Sequence, residues 1–152
     1  MTLTDWEHNG WLKKHTTSLQ EINDLYGIIR RDLQDAQNKT LSADWRFGIA
    51  YNAALKLCTV ILYAEGYKPE NTQAHYRTIM ALSQIMGPKK QSDADFLNVC
   101  RAKRNIVEYS YSGGATDSEA EELIQFTGKL SVAVRDWLQE NHPALVPTGL
   151  PG

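Results

Sequence analysis

The feature that most constrains this chain is an apolar helix predicted over residues 42–65. Its sequence, SADWRFGIAYNAALKLCTVILYAE, carries apolar residues on nearly every side when it is wound at about 100° per residue. A helix that is apolar nearly all round has to be covered on several sides. Because Asn52, Lys56 and Glu65 interrupt the stretch, it is predicted to be a core helix and not a membrane span.

Four further helices are predicted from apolar residues that recur every three or four positions. One covers residues 18–38, a second covers residues 72–86, a third begins near Ser92, and a fourth begins at Thr116 and is stopped by Pro143. No segment alternates with period two, so strands are not expected. Long helices joined by short loops predict an all-α fold, an up-down helical bundle of four to five helices.

Length and charge limit the organisation and the partners of the chain. A chain of 152 residues suits one domain, residues 1–152, with residues 1–17 as an N-terminal extension. Residues 143–152 are rich in Pro and Gly and are predicted to form a loose tail. The net charge of −2 argues against a general binder of polyanions, so affinity for nucleic acid would need a local basic patch.

Cysteine and histidine usage points to neither a metal site nor another cofactor. Cys58 and Cys100 lie inside apolar helical patterns and are predicted to be buried thiols, although a disulfide between them stays open. The four histidines are scattered, without the spacing of metal ligands. The N-terminal residues lack a basic segment followed by an apolar one, so we expect a cytoplasmic protein without a membrane partner.

The stretch RNIVEYSYSGG, which begins at Arg104, gathers polar side chains at the predicted end of a helix. On a helix Arg104 and Glu108 lie on one face, and Tyr111 returns to nearly the same direction. The plain interpretation is an ion pair between residues four apart, with tyrosine rings packed beside it. The other interpretation is an altered catalytic motif.

Three segments together resemble the HEPN superfamily of small helical domains, over residues 41–138. The segment NAALKLCTVILYAEGYKP is similar to that family's apolar second helix and the turn after it, and AHYRTIMAL is similar to its next short helix. The segment RAKRNIVEYSY occupies the place of the family motif, in which an Arg is followed after four to six residues by a His.

The resemblance implies a homodimer whose motif helices meet in a cleft, and in many members a metal-independent ribonuclease that acts as a toxin. The motif Arg binds the scissile phosphate, an Asn supports it, and the His moves protons. By position, Arg104 matches the Arg and Asn105 the Asn. Tyr111 matches a tyrosine that a partner nucleotidyltransferase, acting as antitoxin, can modify.

The chain departs from the motif at the proton-transfer position, where Tyr109 replaces the His. An ordinary His has a pKa of about 6.5 and an ordinary Tyr one of about 10, so a Tyr at neutral pH is a far poorer base. The candidate catalytic residues are therefore Arg104, Asn105 and Tyr109, with weak or absent activity expected. His75 would be a replacement base if the fold brought it near.

Three functional classes stay open. The first is a ribonuclease-like toxin of a toxin–antitoxin or defence system with an altered motif. The second is a non-catalytic HEPN module that binds RNA, a nucleotide or a protein partner, with Arg101, Lys103 and Tyr111 as further binding residues. The third is a structural module that docks onto another chain through Trp6, Trp11 and the N-terminal segment, although local packing is the plainer interpretation of the two tryptophans.

Overall fold

The apolar helix α3 (Ala43–Ala64) lies at the centre of the structure. The computed structural model describes residues 1–71, 73–109 and 113–148, apart from the side chains of residues 108 and 109. The predicted all-α helical bundle is confirmed. α3 contacts the four other long helices, which are α2 (Leu19–Ala36), α4 (Ala74–Met86), α5 (Gln91–Tyr109) and α6 (Asp117–Asn141).

The burial of α3 follows from its sequence. By length and composition it could cross a membrane, yet most of that stretch is buried inside the protein. Its small residues let the neighbouring helices approach closely, and its branched residues fill the space between them. The fully buried side chains include Ala50, Ala53, Ala54, Leu57, Val60 and Ile61. The neighbouring helices therefore cover the surface that the sequence marked as apolar on all sides.

The predicted helix starts are set by side-chain caps. Ser18 and Ser42 each accept a hydrogen bond from a backbone N–H three residues ahead, and Thr116 forms a full capping box with Glu119. α5 begins at Gln91, one residue before the predicted start, because a 3-10 turn at Pro88–Lys90 leads directly into it. The helix predicted over residues 72–86 begins at Ala74, and residue 72 lies outside the described residues.

Two short strands depart from the prediction of helices throughout. The strand β1 (Leu12–Lys14) pairs antiparallel with β2 (Tyr67–Pro69), with Leu12 opposite Pro69. The backbone N–H of His15 continues the pairing by donating to the carbonyl of Gly66 at 2.9 Å. Strands of three residues are too short to show an alternating pattern, so periodicity could not predict them.

The N-terminal segment is part of the domain and not an appendage. Trp6, on the short helix α1 (Leu3–His8), is only 6% exposed and packs with Leu12, Leu62 and Ala81. The hypothesis that Trp6 docks onto another chain is therefore wrong, because its ring is buried within its own chain.

The described part of the C-terminal tail is also held in place. Pro143–Leu145 forms a 3-10 turn, and Leu145 packs against the main core. Asn23 of α2 exchanges two hydrogen bonds with Thr148, at 3.3 and 3.0 Å. The predicted loose tail is wrong for residues 143–148, because their apolar side chains find room on the core; residues 149–152 lie outside the described residues.

Both cysteines are buried and free, as the apolar pattern around them predicted. Burial raises the pKa of the Cys58 thiol to about 12, and burial also raises that of Cys100 to about 12. Thiols with such high pKa values stay protonated at neutral pH and react slowly with oxidants and electrophiles. They serve as small apolar side chains of the core.

A buried arginine on α3 forms polar contacts with both α2 and α6. The Arg46 guanidinium is almost fully buried and donates from Nε to the Ala36 carbonyl at 2.8 Å, at the end of α2. Its Nη2 pairs with the Glu121 carboxylate on α6. This pairing lowers the pKa of Glu121. Arg46 therefore satisfies a buried helix-terminal carbonyl that would otherwise lack a donor.

Replacing Arg46 with Met should lower the free energy of unfolding by about 1–3 kcal/mol, because the buried Ala36 carbonyl loses its donor. Urea denaturation followed by circular dichroism measures the change. The control Glu121→Gln keeps the hydrogen bond from Arg46 to Ala36, so it should lower the free energy of unfolding by less. Equal losses in the two variants would contradict a leading role for the buried carbonyl.

Candidate functional site

A cavity of about 740 Å³, here called the α4–α5 cavity, lies between the first turn of α4 and the middle of α5. Its volume falls in the range of about 300–1,000 Å³ that is typical of small-molecule sites. Side chains with hydrogen-bonding groups make up most of its wall. The lining residues are Asn71, Gln73, Ala74, His75, Tyr76, Arg77, Arg101 and Asn105.

α5 supplies a guanidinium and an amide from one face. Arg101 and Asn105 are one helical turn apart and both line the α4–α5 cavity. The Arg101 Nε donates to the Asn98 Oδ1 at 3.0 Å, which orients the guanidinium without neutralising its charge. Within the described residues, no carboxylate forms a salt bridge with Arg101. Its positive charge is therefore directed at the cavity.

α4 supplies an aromatic ring between two cations. The guanidinium carbon of Arg77 lies 5.4 Å from the centroid of the Tyr76 ring, and that of Arg101 lies 5.7 Å from the same centroid. Arg77 also stacks on Trp11, with 3.7 Å between the guanidinium carbon and the indole centroid. Cation–π contacts of this kind hold both partners in defined orientations. Tyr76 thereby links the cationic groups of α4 and α5.

The chain enters α4 through an unusual backbone conformation at the cavity wall. Gln73 is the N-cap residue of α4 and has a φ of 57°. Among the described residues it is the only non-glycine residue with a positive φ. Left-handed backbone is uncommon for a residue with a Cβ and costs free energy. His75 and Arg77, on the first turn of α4 that follows Gln73, both line the cavity.

His75 lies in a positive electrostatic environment. Partial desolvation lowers its pKa, and the charges of Arg104 and Arg101 lower it further, with a smaller effect from Lys56. The imidazole is therefore mostly neutral at pH 7 and can accept a proton or a hydrogen bond. His75 is exposed at the protein surface, which leaves it accessible to a ligand.

Tyr51, on α3, is a buried residue whose ring lies near both His75 and Arg104. Its ring centroid lies 6.4 Å from that of His75, and the Arg104 guanidinium carbon lies 5.7 Å from the Tyr51 ring. The side chain is fully buried, and its hydroxyl has no hydrogen-bond partner among the described residues. Burial raises the pKa of Tyr51, so the phenol stays neutral and does not act as a base.

Arg104, the predicted motif arginine, lines a different cavity of about 400 Å³ between α3 and α5. Trp45, Asn52 and Val107 are among the residues that line it with Arg104. Arg104 and Asn105 are adjacent in sequence, so their side chains leave the helix about 100° apart. The structure therefore places Asn105 with Arg101 and His75 in one cavity and Arg104 in the other, where Arg104 is still close enough to affect the pKa of His75.

Lys103, a predicted binding residue, is engaged elsewhere. Its Nζ donates to the Gly114 carbonyl at 3.0 Å and pairs with the Glu119 carboxylate at 2.8 Å. It lies about 200° from Arg101 around α5 and does not line the α4–α5 cavity. Lys103 thus connects α5 to the start of α6, and its positive charge is compensated.

The side chains of the two predicted site tyrosines, Tyr109 and Tyr111, lie outside the described residues. Tyr109 is the last residue of α5, and its side chain lies outside the described residues, as does the whole of Tyr111. The roles predicted for them stay predictions. The chain after them is fixed by Asp44, whose carboxylate accepts from the backbone N–H groups of Gly113 at 2.6 Å and Ala115 at 3.0 Å.

Several lining residues were missed because they lie outside the motif helix. Tyr76 and Arg77 belong to AHYRTIMAL, a segment noted only for its resemblance to a family helix. Trp11 was interpreted as local packing, or as a docking residue for another chain. The adjacent His75, Tyr76 and Arg77 at the start of this helix were the available signal, since His and Tyr are only intermediate in burial and Arg is mostly exposed.

No protein-family model matches this chain, and the searches of curated proteins and of solved structures found no match either. The resemblance to the HEPN superfamily therefore stays a prediction from the sequence. The α4–α5 cavity combines guanidinium groups, a neutral imidazole, amides and an aromatic ring, and this chemistry is the available indication of function.

We expect an NMR titration to show a His75 pKa below its ordinary value near 6.5. Arg101→Gln and Arg104→Gln should each raise this pKa, because each removes a neighbouring positive charge. Lys129→Gln, an exposed substitution on α6, is the matched control and should leave it unchanged. A His75 pKa that neither arginine variant moves would contradict the arrangement described above.

Proposed function

We propose that this protein is a HEPN-like domain that binds single-stranded RNA in the α4–α5 cavity. The observation that carries the proposal is the pair Arg77 and Arg101, which line the cavity without a carboxylate partner among the described residues. Guanidinium groups recognise phosphate through paired hydrogen bonds and are preferred at nucleic-acid sites.

The contrast with other cations of the chain supports a binding role. Arg46 and Lys103 pair with Glu121 and Glu119, so their charges hold helices together. Arg77 and Arg101 instead contact aromatic rings. The chain is acidic as a whole, with a net charge of −2, so this cavity is a local positive region of the kind that binding to a polyanion requires.

The ring of Tyr76 and the amides favour a single strand over a duplex. Unstacked bases of single-stranded RNA stack on aromatic side chains, and their edges form hydrogen bonds with amides. Tyr76 offers a ring, while Asn71 and Asn105 offer amides in the same cavity. A concave site of this volume suits individual nucleotides, whereas a duplex would need a wide, continuous surface.

Arg101→Gln should weaken binding of a labelled single-stranded RNA by about 10- to 100-fold, because a hydrogen bond to a charged group is worth about 1.5–3 kcal/mol. Fluorescence anisotropy at several salt concentrations measures the affinity. The slope of log affinity against log salt should become shallower by about 0.7 for each phosphate that the variant no longer neutralises. Lys129→Gln removes one charge far from the cavity and is the control.

Wild-type affinity in Arg101→Gln would contradict the proposed cavity. Affinity that does not change with salt would contradict binding through phosphates. In both cases the local positive charge would have a structural role only.

A metal-independent endoribonuclease is a second candidate, and the placement of His75 favours it. The neutral imidazole of His75 lines the same cavity as Arg101 and Asn105. An imidazole can take the proton of a ribose 2′-hydroxyl as that oxygen attacks the adjacent phosphorus and the P–O5′ bond breaks. The departing 5′-oxygen then takes a proton from the imidazolium or from water, and a guanidinium stabilises the negative charge on the phosphate. His75 would then act as the general base, at a position other than that of Tyr109 in the motif.

If His75 is the base, incubation of labelled RNA with the wild-type protein and a chelator should give cleavage that His75→Gln reduces at least about 100-fold. RNA affinity of His75→Gln should stay near that of the wild type. Tyr109→His tests the other position, and a gain of cleavage there would show that the altered motif residue limits activity. Absence of cleavage by the wild type would exclude this second candidate and leave the binding module.

The partners implied by the resemblance stay predictions. They are a homodimer that meets through α5, a nucleotidyltransferase antitoxin, and modification of Tyr111 in a toxin–antitoxin system. The cytoplasmic location also stays a prediction, although the burial of α3 is typical of a core helix in a water-soluble protein.

A further inference from the structure

We infer that the RNA path continues from the α4–α5 cavity across Arg77 into a second cavity on the N-terminal segment, so that the protein holds at least two successive nucleotides. This inference rests on the proposed function. The second cavity, here called the N-terminal cavity, has a volume of about 520 Å³. Asn71, Gln73 and Arg77 line both cavities, so the two are adjacent and share a wall.

The order of side chains along this path matches the chemistry of a single strand. Rings and cations alternate, because Trp11 stacks on Arg77 at 3.7 Å, Arg77 lies 5.4 Å from Tyr76, and Tyr76 lies 5.7 Å from Arg101. A single strand alternates flat bases with negative phosphates. Sites that bind single strands combine positive charge with aromatic rings in the same way.

Arg77 stands at the junction of the two cavities and can bridge them. Within the described part of the chain its guanidinium contacts aromatic rings and forms neither a hydrogen bond nor a salt bridge. A guanidinium that stacks on a ring keeps its N–H groups in the plane, where they can donate to a phosphate. We therefore assign Arg77 to the phosphate between one base at Tyr76 and the next base at Trp11.

Trp11 is held rigidly enough to serve as a stacking platform. Trp6 supports it in an edge-on contact, with 6.1 Å between ring centroids and 69° between ring planes. Its backbone N–H donates to the Trp6 carbonyl at 2.9 Å, and its own carbonyl accepts from the Glu70 N–H at 3.0 Å. The ring is only partly buried, so it retains surface for a ligand. A platform fixed before binding loses little entropy when the base arrives.

The charge of the N-terminal cavity is compatible with an anion. Its lining includes Glu70, whose carboxylate lies 3.9 Å from the Nζ of Lys13. Both side chains are exposed, so solvent screens the charge of Glu70 and Lys13 offsets part of it. Arg77 then remains as the uncompensated charge at the shared wall.

The test compares uridine monophosphate with single-stranded oligouridylates of increasing length, by calorimetry and fluorescence anisotropy. The wild type should gain affinity steeply once the strand is long enough to enter both cavities. Trp11→Leu should cancel about tenfold of that gain, the effect of removing one base–aromatic stack, and should change monophosphate affinity less than about twofold. Arg77→Gln should also weaken the longer strands, and it serves as a second variant if Trp11→Leu does not fold.

Arg101→Gln is the comparison that separates this inference from the proposed function, because it should weaken ligands of every length. Lys129→Gln is the control for loss of one charge. If Arg101→Gln loses RNA while Trp11→Leu binds all lengths as the wild type does, the second cavity is not used and only this inference is overturned. If the wild type binds no RNA of any length, both proposals are overturned.

Discussion

The burial of α3 is the constraint on which the rest of the structure depends. Removing about 1 Å² of apolar surface from water stabilises a protein by about 25 cal/mol, so a helix that is apolar on most of its surface contributes strongly when fully covered. Covering it takes α2, α4, α5 and α6, which all contact it. Their relative positions are thereby set through α3, and Arg46 adds a polar connection between α3 and the helices on either side.

The candidate site is a consequence of that arrangement. Because α4 and α5 both pack on α3 and on one another, the first turn of α4 lies beside the middle of α5. The N-terminal segment is then drawn in by the pairing of β1 with β2 and by the burial of Trp6. Side chains that are far apart in sequence, such as Trp11, Arg77 and Arg101, come to share one continuous surface.

The charged residues divide into two groups with different physical roles. Arg46 and Lys103 have carboxylate partners and connect helices, so their charges are compensated within the fold. Arg77 and Arg101 are oriented by rings and an amide, which leaves their charges uncompensated within the described residues. Like charges repel, so these two uncompensated charges do not stabilise the fold, and they are the basis of the proposal that the cavity binds an anion.

The sequence by itself determined the long helices and the core. Apolar periodicity located α2 and α6, the all-round apolar character of α3 placed it at the centre, and capping residues fixed several helix starts, because these signals act between neighbours in the chain. Only the tertiary structure decided the site. The motif segment contains Arg101, Arg104 and Asn105. Adjacent helix residues diverge by about 100°, so the separation of these side chains into two cavities depended on which helix packs on each face. His75, Arg77 and Trp11 joined Arg101 through contacts between distant segments, and no local pattern records such contacts.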